Sequence, residues 1–314
     1  MSAGAAVRLA EIEAARQRIA GAVRVTPVLN PAPARSALPC AHLTLKLENL
    51  QVTGSFKPRG AMAKLTTLTD EERRRGLITA SGGNHGLAVA YAAWRTGVPA
   101  VIYLPASTPE AKVRKIAGWG ADARIDGAVW DDANRAALRA AADEGLTYVH
   151  PFADPHVIAG QGTLGLEILD QVPEFDTLVV AIGGGGLIAG VATAVKARRP
   201  EIRVVGVEPV GAPTHHASRA AGELVTLDKI ATAAGTLAPR RSEQINLDLI
   251  GAHVDDIVLV DDAEMAEAAR WLWRECAVAA ELSGAASLAA LQTGRVTGGK
   301  VCAVICGAGT DGLG

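Results

Sequence analysis

Along most of the chain, short runs of aliphatic and β-branched residues alternate with longer stretches whose apolar positions recur every three or four residues. That alternation is the signature of a parallel sheet covered by helices. Residues 8–23 carry acids, bases and apolar groups at helical spacing and predict an amphipathic helix. "LTLKLENL" (residues 43–50) has the period of two of a strand, and "GAMAKLTTL" begins a helix. "GLITA" predicts a short strand, followed by the loop "SGGNHG" and an alanine-rich helix that Gly97 ends. "PAVIYLP" is a strand, while "PEAKVRKIAGWG" and "DDANRAALRAAADEG" are helices leading to the strand "TYVH". "AGQGTLGLEILDQV" predicts a helix preceded by glycine turns, ahead of strand "DTLVVAI", helix "LIAGVATAVKARR" and strand "RVVGVEP". Residues 211–250 show no regular period and read as an irregular segment covering a substrate or an interface. Strand "DIVLV", helices "DAEMAEAARWLWRECA" and "SGAASLAALQTG", and strand "KVCAVIC" complete the pattern. No repeat or linker interrupts it, and no regulatory appendage is expected after the last strand.

The uncharged run "TLVVAIGGGGLIAGVATAV" (residues 177–195) is as long as a membrane span. Its four central glycines would each weaken a helix by about 1 kcal/mol relative to alanine, so it reads as buried strand, loop and helix. With 314 residues, 49% apolar and 20% charged, the chain can bury the cores of two ordinary domains or one large one. A net charge of −2 with interspersed signs argues against nucleic acid or a membrane surface as partner. Cys40, Cys276, Cys302 and Cys306 form neither a CxxC pair nor a zinc spacing. They read as reduced thiols of a cytoplasmic protein.

Three stretches carry candidate chemistry. In "DTLVVAI-GGGG-LIAG" a strand runs through Gly183, Gly184, Gly185 and Gly186 into a helix, whose free N–H groups and dipole suit a phosphate. There is no GK[ST], and GxGxxG fails at Ile188. Glu208, however, ends the next strand where a dinucleotide fold puts its ribose ligand, which keeps an NAD-dependent dehydrogenase open. "TASGGNHG" is a second glycine loop opening a helix, with Ser81 and Asn84 suited to a substrate carboxylate. His85 there is structural or catalytic. Finally, "VTGSFKPRGAMAKL" (residues 52–65) sets Lys57 among small and polar residues, where neither a helix nor a strand would place a solvated charge. Two anion loops and an oddly placed lysine suggest a small phosphorylated cofactor meeting an amino acid.

"KLENLQVTGSFKPRGA", "SGGNHGLAVAYAA", "HPFADPHVIAGQGT", "GGGGLIAG" and "ELSGAASLAAL", in that order, resemble the fold-type II pyridoxal-phosphate enzymes, whose fold is tryptophan synthase β-like. Within them the chain is similar to the threonine/serine dehydratase (ammonia-lyase) and serine racemase branch, from about Leu9 to Gly312. The resemblance implies two α/β domains with parallel sheets covered by helices and the cofactor in the cleft between them. The smaller would span residues 51–150, and the larger 1–50 and 151–314. Lys57 then matches the lysine that carries pyridoxal 5'-phosphate. Gly183, Gly184, Gly185, Gly186 and Leu187 would hold the phosphate, Asn84 would contact the phenolic oxygen, and Phe56 would pack beside the ring. Ser81, Gly82, Gly83, Asn84 and His85 would form the substrate loop. Cys306 would face the pyridine nitrogen. A neutral thiol does not hold that nitrogen protonated as an aspartate would, and this suits β-elimination better than a long-lived carbanion.

Three positions depart from the family. The racemase pattern has a second serine at Gly82, acting as acid/base on the far face of the substrate, so racemisation should be poor here. The family often binds a divalent cation through the match of Glu208, a carbonyl near Ala212 and an acid two residues later. Thr214 replaces that acid, followed by His215 and His216, and no metal is assigned. Leu282 follows Glu281 where proline is usual. The expectation is a cytoplasmic, homodimeric lyase converting a β-hydroxy amino acid such as L-threonine or L-serine to a 2-oxo acid and ammonia. Alternatives are a serine racemase or hydroxyaspartate dehydratase of the same fold, the dehydrogenase, and a non-catalytic cofactor-binding protein. "ATAAGTLAPRRSEQIN" (residues 231–246) should face the substrate side chain.

Overall fold

In the computed structural model, which describes residues 7–31, 34–36 and 38–309, helix α1 (Leu9–Ile19) precedes β1 (Val28–Leu29) and β2 (Cys40–Leu47). Gly312, where the resemblance ends, lies outside the described residues. Helices α2 (Lys57–Leu65) and α3 (Asp70–Arg75) lead into β3 (Leu77–Ala80), α4 (Asn84–Thr96), β4 (Ala100–Leu104) and α5 (Glu110–Ala117). Then come β5 (Asp122–Ile125), α6 (Trp130–Glu144), β6 (Thr147–Tyr148), α7 (Pro155–Gln171), β7 (Thr177–Ala181) and α8 (Gly186–Arg198). The chain continues through β8 (Arg203–Pro209), α9 (Thr214–Ala221), α10 (Gln244–His253) and β9 (Asp256–Val260). Helices α11 (Asp262–Cys276) and α12 (Leu282–Gln292) precede β10 (Gly298–Ile305).

The strands form two sheets. One has the order β5-β4-β3-β6 and is parallel throughout. The other has the order β1-β2-β10-β7-β8-β9, parallel except where β1 pairs with β2. Every residue of β3 and β7 is buried, as expected for parallel strands covered on both faces. Each of these strands ends in a glycine loop that opens a helix. Both loops therefore stand at the carboxyl ends of parallel strands, where α/β sheets bind their ligands.

Several expectations are corrected. Lys57 is not in a loop but is the first residue of α2. Pro58 follows it without disruption, because first-turn N–H groups have no helical partner to lose. Helix α7 already starts at Pro155, so Gly160, Gly162 and Gly165 lie inside it and make no turn. They are glycines because neighbouring helices approach too closely for a side chain. A Cβ on Gly160 would lie 2.5 Å from the Arg59 carbonyl oxygen and 2.7 Å from Gly60 Cα, and one on Gly162 would lie 2.9 Å from the Gly190 oxygen. Residues 211–250 contain α9 and α10, so the segment is irregular only between them. The strand expected at 43–50 starts at Cys40, and Glu48–Leu50 form a 3-10 turn instead. The short elements α3, β1 and β5 fall below the length at which periodicity is readable. The uncharged run at 177–195 is β7, the glycine loop and most of α8, and no described helix is long and apolar enough to cross a membrane.

A buried charge quartet fixes α2 from behind. The Arg59 guanidinium donates to both oxygens of Glu48 at 2.7 Å and to Glu167 at 3.0 Å. Lys46 reaches the other oxygen of Glu167 at 2.6 Å, along with the Thr26 carbonyl and the Gln171 side chain. Two acids and two bases cancel, and the bidentate geometry supplies the hydrogen bonds that burial of charge requires.

Candidate active site

Lys57 and Cys306 meet because the start of α2 lies beside the end of β10. The Phe56 N–H donates to the Cys306 carbonyl at 3.2 Å, and Ser55 bridges to Gly307. The Lys57 amine donates to the Pro151 carbonyl at 2.8 Å and lies 5.1 Å from the centre of the Phe56 ring. Burial pushes this amine down to about 8, against the opposing pull of Cys306 and Glu281. Near neutral pH it is therefore far closer to its nucleophilic, neutral form than an ordinary lysine. Burial pushes the Cys306 thiol up, so it stays protonated, and its Sγ–H donates to the Ser283 carbonyl at 3.4 Å.

The glycine loop faces Lys57 across one cleft. Phe56, Lys57, Asn84, Gly183, Gly184, Gly185, Gly186, Leu187 and Cys306 all line it. Gly185 caps α8 with a φ of +95°, a left-handed conformation that side chains rarely adopt. The loop is also hemmed in. A Cβ on Gly184 would lie 2.2 Å from the Phe152 ring, and one on Gly185 would lie 2.6 Å from His215 Nε2. Helix α8 has no side-chain cap, which leaves its first N–H groups to an anion.

Asn84 heads α4 and donates its amide to a Glu281 carboxylate oxygen at 2.7 Å. That contact fixes the amide orientation, because a carboxylate only accepts. Asn84 Oδ1 is left buried without a partner. Phe152, Ala181 and Glu281 also line the cleft without having been assigned to it from the sequence, as do Thr236 and Leu237, which fall in the stretch expected to face the substrate. Glu281 and Phe152 sit inside two quoted motifs, and this was their only signal. Ser81, Gly82, Gly83 and His85 adjoin the cleft but do not line it. Ser81 Oγ accepts the Gly83 N–H at 3.2 Å, and Gly83 approaches Thr236 at the opposite rim. His85 is buried and pairs through Nε2 with the Val149 carbonyl at 2.9 Å. Burial, with Lys57 nearby, holds its ring down to about 3, so it is neutral and donates that proton to the carbonyl.

Glu208 is not available to a ribose. It is fully buried, and its two oxygens accept the N–H groups of His215 at 2.8 Å and His216 at 2.7 Å. It thus caps the start of α9. Burial pushes its carboxyl up to about 8, against the pull of those two donors. The dinucleotide reading loses its ribose ligand here.

This geometry defines an enzyme class that joins a buried amine to a phosphate-binding helix start, and the chain belongs to the pyridoxal-phosphate dependent enzyme family, whose model matches residues 19–307. Among curated proteins it is 43% identical over 271 residues to an L-threonine ammonia-lyase of Thermotoga maritima, covering 86% of this chain and 68% of that one. It is 39% identical over 294 residues to a serine racemase of Oryza sativa subsp. indica, covering 92% and 85%. Among solved structures, maize serine racemase superposes with a TM-score of 0.90 at 34% identity, covering 96% of this chain and 94% of the other.

The residues present fit the cofactor. Asn84 has a second amide N–H beyond the one given to Glu281, suited to a phenolic oxygen, α8 lacks a cap, and a lysine with a depressed pKa lines the same cleft.

Proposed function

We propose that this chain is an ammonia-lyase that removes water and then ammonia from a β-hydroxy amino acid such as L-threonine or L-serine. The supporting observation is the cleft itself, where the Lys57 amine, near pKa 8, faces an uncapped helix start and a neutral thiol. Bound pyridoxal phosphate supplies the electron sink that makes the substrate Cα–H acidic. In this reading Gly183, Gly184, Gly185, Gly186 and Leu187 hold the phosphate, Asn84 meets the phenolic oxygen, and Phe56 packs beside the ring. Cys306 meets the ring nitrogen as a neutral thiol. The substrate carboxylate sits on the loop of Ser81, Gly82, Gly83, Asn84 and His85. The neutral Lys57 amine takes the Cα proton, and the β-hydroxyl leaves Cβ as water, taking up one proton as the Lys57 ammonium gives one back. Hydrolysis of the resulting enamine yields the 2-oxo acid and ammonia. His85, neutral and tied to Val149, holds the loop and moves no proton.

The likeness to threonine ammonia-lyase supports this reaction over racemisation, as does Gly82, which has no side chain to protonate Cα from the face opposite Lys57. The four-stranded sheet, whose strands run from Leu77 to Tyr148, supports a small domain within 51–150, with α2 held against α7 of the large one, and the six-stranded sheet supports a large domain of 1–50 and 151–314. A cytoplasmic homodimer completes the proposal. The test is release of 2-oxo acid and ammonia across a panel of β-hydroxy amino acids, with borohydride fixing the cofactor to Lys57. A protein that binds pyridoxal phosphate but forms D-serine as fast as pyruvate is a racemase instead.

A further inference from the structure

Three glycines in succession before α8, and a fourth as its first residue, leave this loop with almost no restraint of its own. A peptide between two glycines can turn over at little steric cost. If the 184–185 peptide turned, a carbonyl would face the cleft where an anion needs a donor. Something outside the loop must hold this peptide.

The Gly184 carbonyl accepts two hydrogen bonds from side chains that do not line the cleft. Ser242 Oγ donates at 2.8 Å and Asn246 Nδ2 at 2.8 Å, the latter also donating to the Phe152 carbonyl at 3.1 Å. Ser242 and Asn246 are both fully buried. Both lone pairs of the carbonyl are thus used, where water cannot compete. In a planar trans peptide the C=O and the following N–H point in opposite directions. Fixing the Gly184 oxygen therefore fixes the direction of the Gly185 N–H as well, in a residue that lines the cleft. Phe152, whose carbonyl shares the Asn246 amide, also packs its ring against Gly184. The three contacts hold one peptide plane. Ser242 and Asn246 belong to the stretch that the sequence suggested would face the substrate, but only Thr236 and Leu237 of that stretch line the cleft.

We propose that Ser242 and Asn246 are positioning residues of the glycine loop, which set its affinity for a phosphate group by holding the Gly184 carbonyl away from it. This rests on the reading of the cleft as a cofactor site, and its test has an arm independent of that reading. Pyridoxal phosphate binding to the apoprotein is measured by fluorescence quenching, and inorganic phosphate binding by titration calorimetry. Wild type, Ser242→Ala, Asn246→Ala, the double variant and Ser242→Thr are compared, each with the apoprotein melting temperature and the 31P shift of bound cofactor. Each lost donor is expected to weaken both ligands about tenfold, the effect of one ordinary hydrogen bond. The double variant should lose more than the product, because only the His215 ring then remains beside the carbonyl, and the 31P resonance should begin to titrate with pH. Ser242→Thr keeps the hydroxyl and should restore wild-type affinity. A purely structural role would lower the melting temperature while leaving affinity and 31P shift unchanged, and that result overturns the proposal. Should Asn246→Ala fail to fold, Ser242→Ala alone decides on the same terms. A wild type that binds phosphate but not pyridoxal phosphate sinks the cofactor reading and leaves the phosphate comparison to judge the loop.

Discussion

Replacing Lys57 by methionine in the apoprotein should raise stability at neutral pH, although it destroys turnover. Burial lowers the amine from 10.5 to about 8. A pKa difference of one corresponds to about 1.4 kcal/mol, so folding with a charged Lys57 costs about 3 kcal/mol. The direction follows from proton counting. Between pH 8 and 10.5 the unfolded lysine is protonated and the folded one is not, so wild-type stability rises with pH through that window. Below pH 8 both are protonated and the cost is constant. Methionine removes the charge at nearly equal volume but also loses the hydrogen bond to Pro151, worth about 1 kcal/mol. The variant should therefore be more stable by about 2 kcal/mol at pH 7 and less stable by about 1 kcal/mol above pH 10.5. Urea denaturation of both apoproteins from pH 6.5 to 11 measures the difference, in which all other titrating groups cancel. Parallel curves would show that Lys57 keeps an ordinary pKa, and the account of its nucleophilicity would fall.

Arg59→Met leaves Glu48 and Glu167 buried without their shared cation and should cost about 3–5 kcal/mol in urea unfolding; a cost under 1 kcal/mol would mean that the quartet is dispensable. Gly184→Val drives a side chain into the Phe152 ring, so cofactor occupancy, read from the visible absorbance, should fall while circular dichroism of the remaining fold persists. A fully yellow variant would move the phosphate elsewhere. Thr108 lies 3.0 Å from the place a Cβ on Gly82 would take, so Gly82→Ser needs Thr108→Ala beside it to fit. The pair should raise D-serine relative to pyruvate from L-serine, as chiral chromatography would reveal, and an unchanged ratio removes position 82 from the choice of reaction.

The parallel α/β architecture was legible because covered parallel strands are apolar throughout while their helices are periodic, two signals that do not overlap. Lys57 and the tetraglycine loop stood out for a related reason. Each breaks the pattern around it, and the structure brings both into one cleft. Gly160 and Gly162 misled, since glycine is silent about whether it grants a positive φ or room for a neighbouring helix. Ser242 and Asn246 fell within the stretch expected to face the substrate, but nothing marked them individually or as partners of the glycine loop. Each acts through one or two hydrogen bonds to backbone some sixty to ninety residues away, and no local period marks such a contact. Glu208 was legible as an acid ending a strand, read there as a ribose ligand, but not as a helix cap, because its partners are backbone N–H groups that any sequence would offer.

The crossing of α2 over α7, glycine against glycine at Gly60 and Gly160 with Arg59 locked into Glu48 and Glu167, also bears on motion. It ties the lysine-bearing helix, which also packs on α4, to the six-stranded sheet that carries the tetraglycine loop. The loop of Ser81 and Gly83 rides on the other sheet. If the two sheets rock against each other, the tie of Arg59 to Glu48 and Glu167 keeps the amine near the phosphate cradle while the carboxylate grip opens. Such a frame would let substrate come and go on every cycle while the cofactor stays aboard.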